Sequence, residues 1–195
     1  MKYIIVGRQC SGKHETLNIL QDIYNVHVAR EFRTLPDDPG PETYIDHRSV
    51  YYDFPSVEKM FEAESLLCIS SEEGGAFFRG TTFYDVDNND VLSLYPEGVI
   101  NFNKNLNFDG ITWVWMDCNL SQRRRRFIHE KRKYNFDEVE SLESQYDADL
   151  ASYIYDYPNS AVMYFNNEVP ERVACIINAC IQHPDLLDKF IRSFN

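Results

Sequence analysis

The sequence predicts an α/β fold, a parallel sheet flanked by helices in three layers, and three observations predict it. Apolar, β-branched runs of strand length alternate with segments of helical period from Tyr3 to Cys180. The first run, Tyr3-Ile4-Ile5-Val6, has no polar alternation, which suits a strand buried on both faces. The loop Gly7-Arg8-Gln9-Cys10-Ser11-Gly12-Lys13 joins that run directly to a helical pattern. There Leu17, Leu20 and Tyr24 share one face, with Ile19 and Ile23 beside it.

The loop fits the first seven positions of G-x-x-x-x-G-K-[ST]. Glycines at both ends let backbone N–H groups curl into a nest for phosphate oxygens, at a helix N-terminus whose dipole favours negative charge. Lys13 adds a mobile point charge for the outer phosphates. The alternative is a plain strand-to-helix turn; the order strand, loop, helix favours phosphate binding. At the eighth position stands His14, where a hydroxyl ordinarily meets magnesium, and Thr16 lies two residues further on. No residue of the chain is therefore assigned as a direct metal ligand.

A chain of 195 residues reads as a single domain able to bury a sizeable core. No apolar run approaches the ~20 residues of a membrane span, and no signal-peptide pattern opens the sequence. Cys10, Cys68, Cys118, Cys175 and Cys180 are scattered without C-x-x-C spacing, which points away from disulfides and zinc and toward a reducing cytoplasm. A net charge of −12 disfavours duplex nucleic acid and anionic membranes as partners. A locally basic site is compatible with that balance, and the chain is expected to act as a monomer or homodimer.

After the first helix, Asn25 to Ala29 reads as a second strand that delivers Arg30 to Thr34 to a loop, followed by Pro36, Pro39, Gly40 and Pro41. Tyr51 to Phe54 reads as a strand, and Ser56 to Phe61 as a capped helix. Leu66 to Ser70 is a further strand. Gly74-Gly75 is a turn, and a short helix is expected from about Phe83. Asp87 to Asp90 lacks the glycine and glutamate of a calcium loop and reads as a polar turn. Val91 to Leu94 and Ile111 to Met116 are buried strands.

Ser121 is the expected cap of a helix carrying Arg123, Arg124, Arg125 and Arg126. Four consecutive arginines point all round a helix, so at most two can face one ligand. With Lys131, Arg132 and Lys133 they place seven basic residues in eleven positions, which suits a phosphate-clamping lid better than a nucleic-acid patch in so acidic a chain. Tyr134 to Tyr157 reads as helical until Pro158, Val162 to Phe165 as the last strand, and Pro170 to Gln182 as a helix. Asp185 to Phe194 is expected to form a short terminal helix.

In this order the motifs resemble the guanylate kinase family of nucleoside monophosphate kinases, from Tyr3 to about Ile181. The loop Gly7 to Lys13 is similar to that family's ATP-phosphate loop. Phe32-Arg33-Thr34 before Pro36 resembles the segment whose arginine grips the acceptor monophosphate, and Tyr51 to Phe54 the segment that supplies a phosphate-binding tyrosine, here Tyr52. Phe78-Arg79-Gly80-Thr81-Thr82 resembles the Tyr-Tyr-Gly-Ser/Thr-Thr turn. Arg79 stands there at a phosphate-binding tyrosine, and Thr81 at a base-reading hydroxyl. The helix from Arg123 to Arg132 matches the lid, and Phe165-Asn166-Asn167 the strand end near adenine.

Four departures accompany the likeness. Asp37 stands near the second acceptor arginine, and Ser70 near the guanine-reading glutamate, with Glu72 and Glu73 shifted from it. Ser93 and Tyr95 stand where paired aspartates precede a glycine, here Gly98, with Glu97 the nearest carboxylate. No arginine lies between Arg132 and Arg172 to serve as a distal lid residue.

The resemblance implies a three-layer P-loop NTPase-type fold with a core of about 1–30, 91–120 and 160–195, a monophosphate-binding segment of about 31–90, and a lid of about 121–140. It implies ATP-dependent phosphorylation of a nucleoside or deoxynucleoside 5′-monophosphate, with Mg2+ bridging donor oxygens and guanine recognition altered. The expected catalytic residues are Lys13, Arg33, Arg126 and Arg132. ATP would lie against Gly7, Cys10, Ser11, Gly12, Lys13, His14, Glu15 and Asn166. The acceptor would lie against Arg33, Tyr52, Ser70, Arg79, Thr81, Ser93 and Glu97. Arg79 would compensate for the arginine missing at Asp37, since guanidinium binds phosphate bidentately. Two readings stay open beside this one: a catalytically silent domain of the same fold that binds a nucleotide or a protein, and a kinase acting on oligonucleotide ends.

Overall fold

The computed structural model describes residues 1–29, 31–34, 49–52, 66–72, 77–102, 110–130 and 135–191. For 31–34, 49–52, 66–72, 77–79 and 82–83 the description is of the backbone.

The central strand is β1 (Lys2–Val6). It pairs in parallel with β6 (Val91–Leu94) on one side and β7 (Ile111–Asp117) on the other, and β8 (Ser160–Asn166) extends the sheet beyond β7. Because strand side chains alternate, β1 feeds two cores. Ile4 and Val6 join Leu92, Trp113, Leu150 and Ile154 on one face; Tyr3 and Ile5 join Leu17, Leu20, Met163 and Ile177 on the other. Helices α3 (Pro96–Ile100) and α6 (Asp147–Asp156) cover the first face. The second is covered by α1 (Lys13–Asp22), α7 (Pro170–Gln182) and a 3-10 turn, Pro184–Lys189. The three expected layers are present.

A second four-stranded sheet lies in the segment between α1 and β6. Its strands are β2 (Glu31–Thr34), β3 (Ser49–Tyr52), β4 (Leu66–Glu72) and β5 (Phe77–Thr82), in the order β3-β2-β5-β4. β2 and β3 are parallel, and the other pairs are antiparallel. The expectation for this region is corrected. Asn25 turns the chain with φ 55°, and Val28 makes only an isolated bridge to Val91, so Asn25 to Ala29 is no strand. Glu31–Thr34, expected as loop, is the strand, because it finds partners on both edges that no local pattern encodes. β5 leads into α2 (Phe83–Asn88), and the expected helix over Ser56 to Phe61 lies outside the described residues.

Three helix boundaries also differ from expectation. Asn119, not Ser121, caps α4 (Leu120–His129): its Oδ1 accepts the Gln122 N–H at 2.9 Å, and the Ser121 hydroxyl donates to that same oxygen. The span Tyr134 to Tyr157 is two helices, α5 (Phe136–Ser144) and α6, separated at Gln145 and Tyr146. Tightened bonds from Gln145 N–H to Leu142 O and from Tyr146 N–H to Glu143 O end α5, while Tyr146 O accepts from Leu150 N–H to start α6. The terminal helix is the 3-10 turn already named, beginning at Pro184.

Among the described residues no helix is long and apolar enough to cross a membrane, and Cys10, Cys118, Cys175 and Cys180 are free thiols. Trp113 is fully buried, edge-on to Phe102 at 5.8 Å and to Tyr157 at 5.5 Å. Trp113→Ala is expected to cost about 3–5 kcal/mol of unfolding free energy. A denaturant titration checks this; a midpoint shift equivalent to under about 1 kcal/mol would show that the ring is not structural.

Candidate functional site

The loop from Gly7 to Lys13 leaves the carboxyl end of β1, where open α/β sheets hold their ligands. Its geometry needs both glycines. A Cβ on Gly7 would sit 2.5 Å from the Met116 carbonyl oxygen and 2.7 Å from Ser11 Oγ. Gly12 has φ 103°, and a Cβ there would meet Pro170 Cγ at 3.1 Å and Arg126 Nη1 at 3.3 Å. Cys10 adopts the left-handed region at φ 59°, and Ser11 N–H closes a turn onto Arg8 O at 3.2 Å. The Ser11 hydroxyl is buried within the loop, with no hydrogen-bond partner among the described residues.

Lys13 is 3% exposed and folds back over its own loop. Its ammonium donates to Gly7 O and Arg8 O and stands 3.8 Å from the centroid of the Tyr95 ring. The aromatic face at the end of β6 thus holds the lysine by a cation–π contact where the resemblance leads one to expect a carboxylate. His14 is half-buried with its ring 6.4 Å from Tyr95, Glu15 is exposed, and Thr16 Oγ1 is committed to Gly12 O at 3.0 Å. Ser93 sits in register with Ile5, and Glu97 lies in the first turn of α3, half-buried.

The four arginines of α4 divide as the helical period requires. Arg126 Nη1 donates to Cys10 O at 3.1 Å, so this side chain rests on the loop. Arg123 is 2% exposed; it donates to Cys118 O and to Glu140, and its Nη1 lies 3.6 Å from Glu143 Oε2. Arg124 pairs with Asp137 on the outside, and Arg125 is exposed. Arg132 lies outside the described residues.

The acidic side of the site was not anticipated. Glu143 Oε1 accepts the Gln9 N–H at 2.8 Å, and Arg8 pairs with Glu140 and Asp147. The only signal in the sequence is the spacing of Glu140 and Glu143, which places them on one helix face. Nothing local says what that face meets. Burial pushes the Glu143 carboxyl above the ordinary carboxylate range, against the opposing pull of Lys13, the Gln9 amide, Arg123 and Arg8.

At the same carboxyl end of the sheet, on the edge strand β8, Asn166 is exposed and accepts from Asn167 Nδ2 at 2.7 Å, while Asn167 Oδ1 receives the Asn119 N–H at 2.8 Å. These bonds tie the ends of β7 and β8 to the cap of α4. In the smaller sheet the register sets Arg33 opposite Arg79, and Arg79 opposite Ser70, so three expected acceptor residues fall in one row of the backbone. Tyr51 is the register partner of Arg33, whereas Tyr52 is that of Thr34. Thr81 is buried and pairs with Cys68.

Two outcomes follow from this geometry. Gly7→Ala is expected to lose at least about 2 kcal/mol of stability, since the displaced atoms are backbone and core; a thermal melt within a degree of the wild type would refute the close approach. For Glu143, a raised folded pKa means that protonation stabilises the native state below the ordinary carboxylate range, and that this stability is lost as pH rises through the raised value. Melting temperatures of wild type and Glu143→Gln, compared from pH 4 to pH 8, should therefore move in the variant's favour as pH rises. A constant difference would contradict the buried ionisation.

No family model matches the chain, and no curated protein matches it. Solved structures do match, among them the guanylate kinase from Anaplasma phagocytophilum. That structure is 13% identical, covers 98% of this chain and 89% of its own, and superposes with a TM-score of 0.57. At that identity the likeness is one of architecture: the chain has a guanylate-kinase-like P-loop fold, its four-stranded parallel sheet flanked by helices.

Proposed function

We propose that the chain transfers a phosphoryl group from ATP to a nucleoside or deoxynucleoside 5′-monophosphate, handling phosphate as a guanylate kinase does and reading a different base. The observation that carries this reading is the loop itself: its Gln9 amide already holds an oxyanion oxygen, beside a lysine whose ammonium is bound by carbonyls and a ring. A site that accepts a carboxylate at this amide has the polarity to accept a phosphate. The core of 1–30, 91–120 and 160–195 then supplies donor binding, the 31–90 segment the acceptor pocket, and 121–140 the closing lid.

In this division Lys13 and the loop amides hold the donor phosphates, and Arg126 is already seated at Cys10 O beside them. Arg33 and Arg79, whose backbones are register partners in adjacent strands, are assigned to the acceptor phosphate, and Tyr52, Ser70, Thr81, Ser93 and Glu97 to the acceptor as well. Catalysis is positioning and charge stabilisation, with no covalent intermediate. The hydroxyl of α1, on Thr16, is fully buried, and an imidazole at His14 is a poor ligand for so hard a cation. Mg2+ would therefore be held by the nucleotide's own phosphates and water. Ser70 in place of a glutamate removes the basis for guanine selection. The scattered cysteines, without C-x-x-C spacing, are the basis for placing the protein in a reducing cytoplasm, as a monomer or homodimer.

The test is ADP release with ATP, Mg2+ and each common ribo- and deoxynucleoside monophosphate in turn. One acceptor should support turnover, and Lys13→Ala should lower its kcat/KM by about 10²–10³-fold. Absence of turnover with every acceptor would end the transfer reading and leave a silent binding domain of the same fold.

A further inference from the structure

The loop's anion position is filled by the protein itself. Glu143, on the inner face of α5, places one carboxylate oxygen on the Gln9 amide and the other, which makes no hydrogen bond among the described residues, 3.6 Å from Arg123. Around it cations and carboxyl groups face one another: Arg8, Lys13 and Arg123 on the side of the loop and α4, Glu140, Glu143 and Asp147 on the side of α5 and α6. Arg8 and Arg123, two cations a phosphate chain would use, are thus already engaged by carboxylates, and Lys13 is held by carbonyls and a ring.

The helix that delivers them is lightly anchored. α5 has nine residues, bounded by the Asn135 cap and the break at Gln145 and Tyr146. Its buried Phe136 packs edge-on against Phe127 of α4 at 5.2 Å, and neither Phe136 nor Val139 belongs to the two cores that hold the sheet. A short helix whose apolar contact lies outside the main cores can swing without disturbing them.

We propose that Glu143 is a resident occupant of the phosphate loop, and that a nucleoside triphosphate or other polyphosphate enters by displacing it. The incoming chain takes over the Gln9 amide together with Arg8 and Arg123, which α5 releases as it moves away. A triphosphate brings enough charge to replace three carboxylates at once, whereas a single phosphate does not. Arg8 and Arg123 become phosphate-binding residues by this exchange, although the resting structure shows them as partners of α5. The inference rests on the phosphate-loop reading above.

The test uses the full chain and inorganic tripolyphosphate, with affinity measured by titration calorimetry. The tethered carboxylate competes at high effective concentration, so Glu143→Gln and Glu143→Ala should each tighten binding by about tenfold or more. Glu138→Gln, which removes the same charge from the exposed face of the same helix, should stay within about twofold of wild type. Hydrogen exchange on the wild type needs no variant: tripolyphosphate should raise exchange over 136–144, and inorganic phosphate at the same concentration should not. Lys13-dependent binding that is no tighter in the Glu143 variants, or that leaves α5 protection unchanged, overturns the displacement while sparing the phosphate loop. Equal acceleration by inorganic phosphate overturns the requirement for a polyphosphate. Absence of Lys13-dependent binding in every variant removes both readings together.

Discussion

The constraint on which the rest of the structure depends is the enclosure of β1. Its backbone is paired on both edges, and its side chains from Tyr3 to Val6 are at most 2% exposed. A strand so confined can leave the sheet only at its carboxyl end, and it leaves against β7. There the gap to the Met116 carbonyl is too small for any side chain, and so Gly7 follows Val6. The turn that this glycine permits brings the Gln9 N–H to Glu143 and the Ser11 N–H back onto Arg8 O. The position of the candidate site is thus a consequence of core packing before any ligand is considered.

Charge supplies the second level. In a protein of net charge −12 an exposed cluster of Arg8, Lys13 and Arg123 would attract any anion. The structure avoids that: Lys13 is held by carbonyls and the Tyr95 ring, while Arg8 and Arg123 are each paired with carboxylates. Burial raises the cost of an unpaired charge well above its cost at a surface, so such a cluster is kept only where partners satisfy it. Tyr95 is informative in this respect. An aromatic ring stabilises the ammonium without neutralising it, which leaves the lysine's full charge in place.

What was legible in the sequence were the features carried by short-range pattern. The run Tyr3 to Val6, the glycine spacing, Pro170 at the start of α7 and the apolar face of Leu17 and Leu20 each encode a local geometry, and each is found as read. The smaller sheet was only half legible. β3 and β4 contain recognisable apolar stretches, whereas β5, with Arg79 and Gly80 inside it, does not read as a strand, and the pairing of Glu31–Thr34 with both β3 and β5 is decided by residues far along the chain. Asn119 and Ser121, two positions apart, are equally good capping types, and only the hydrogen bond to Gln122 distinguishes them. Glu143 was illegible for a different reason. A glutamate on a polar helix is ordinarily a solvated face, and its meeting with Gln9, 134 positions away in the chain, is a tertiary fact.

The resident carboxylate changes how the departures from the kinase pattern fit together. Taken singly, the lack of a distal lid arginine and the absence of paired acidic residues before Gly98 look like losses. Together with Glu143 they describe a different placement of charge: Tyr95 stands at the end of β6, where the kinase pattern has acids, and a carboxyl group stands on α5, opposite the same lysine. A carboxylate fixed at the end of β6 would face Lys13 permanently, because that strand cannot move without breaking the core. One carried on α5 faces it only while that helix is docked. On the displacement proposed above, the local field at the loop therefore has two settings, one with Arg8 and Arg123 paired at rest and a more positive one when α5 swings out. The difference in affinity for a multiply charged ligand is then set by the docking energy of one short helix, a far smaller quantity than the stability of the fold.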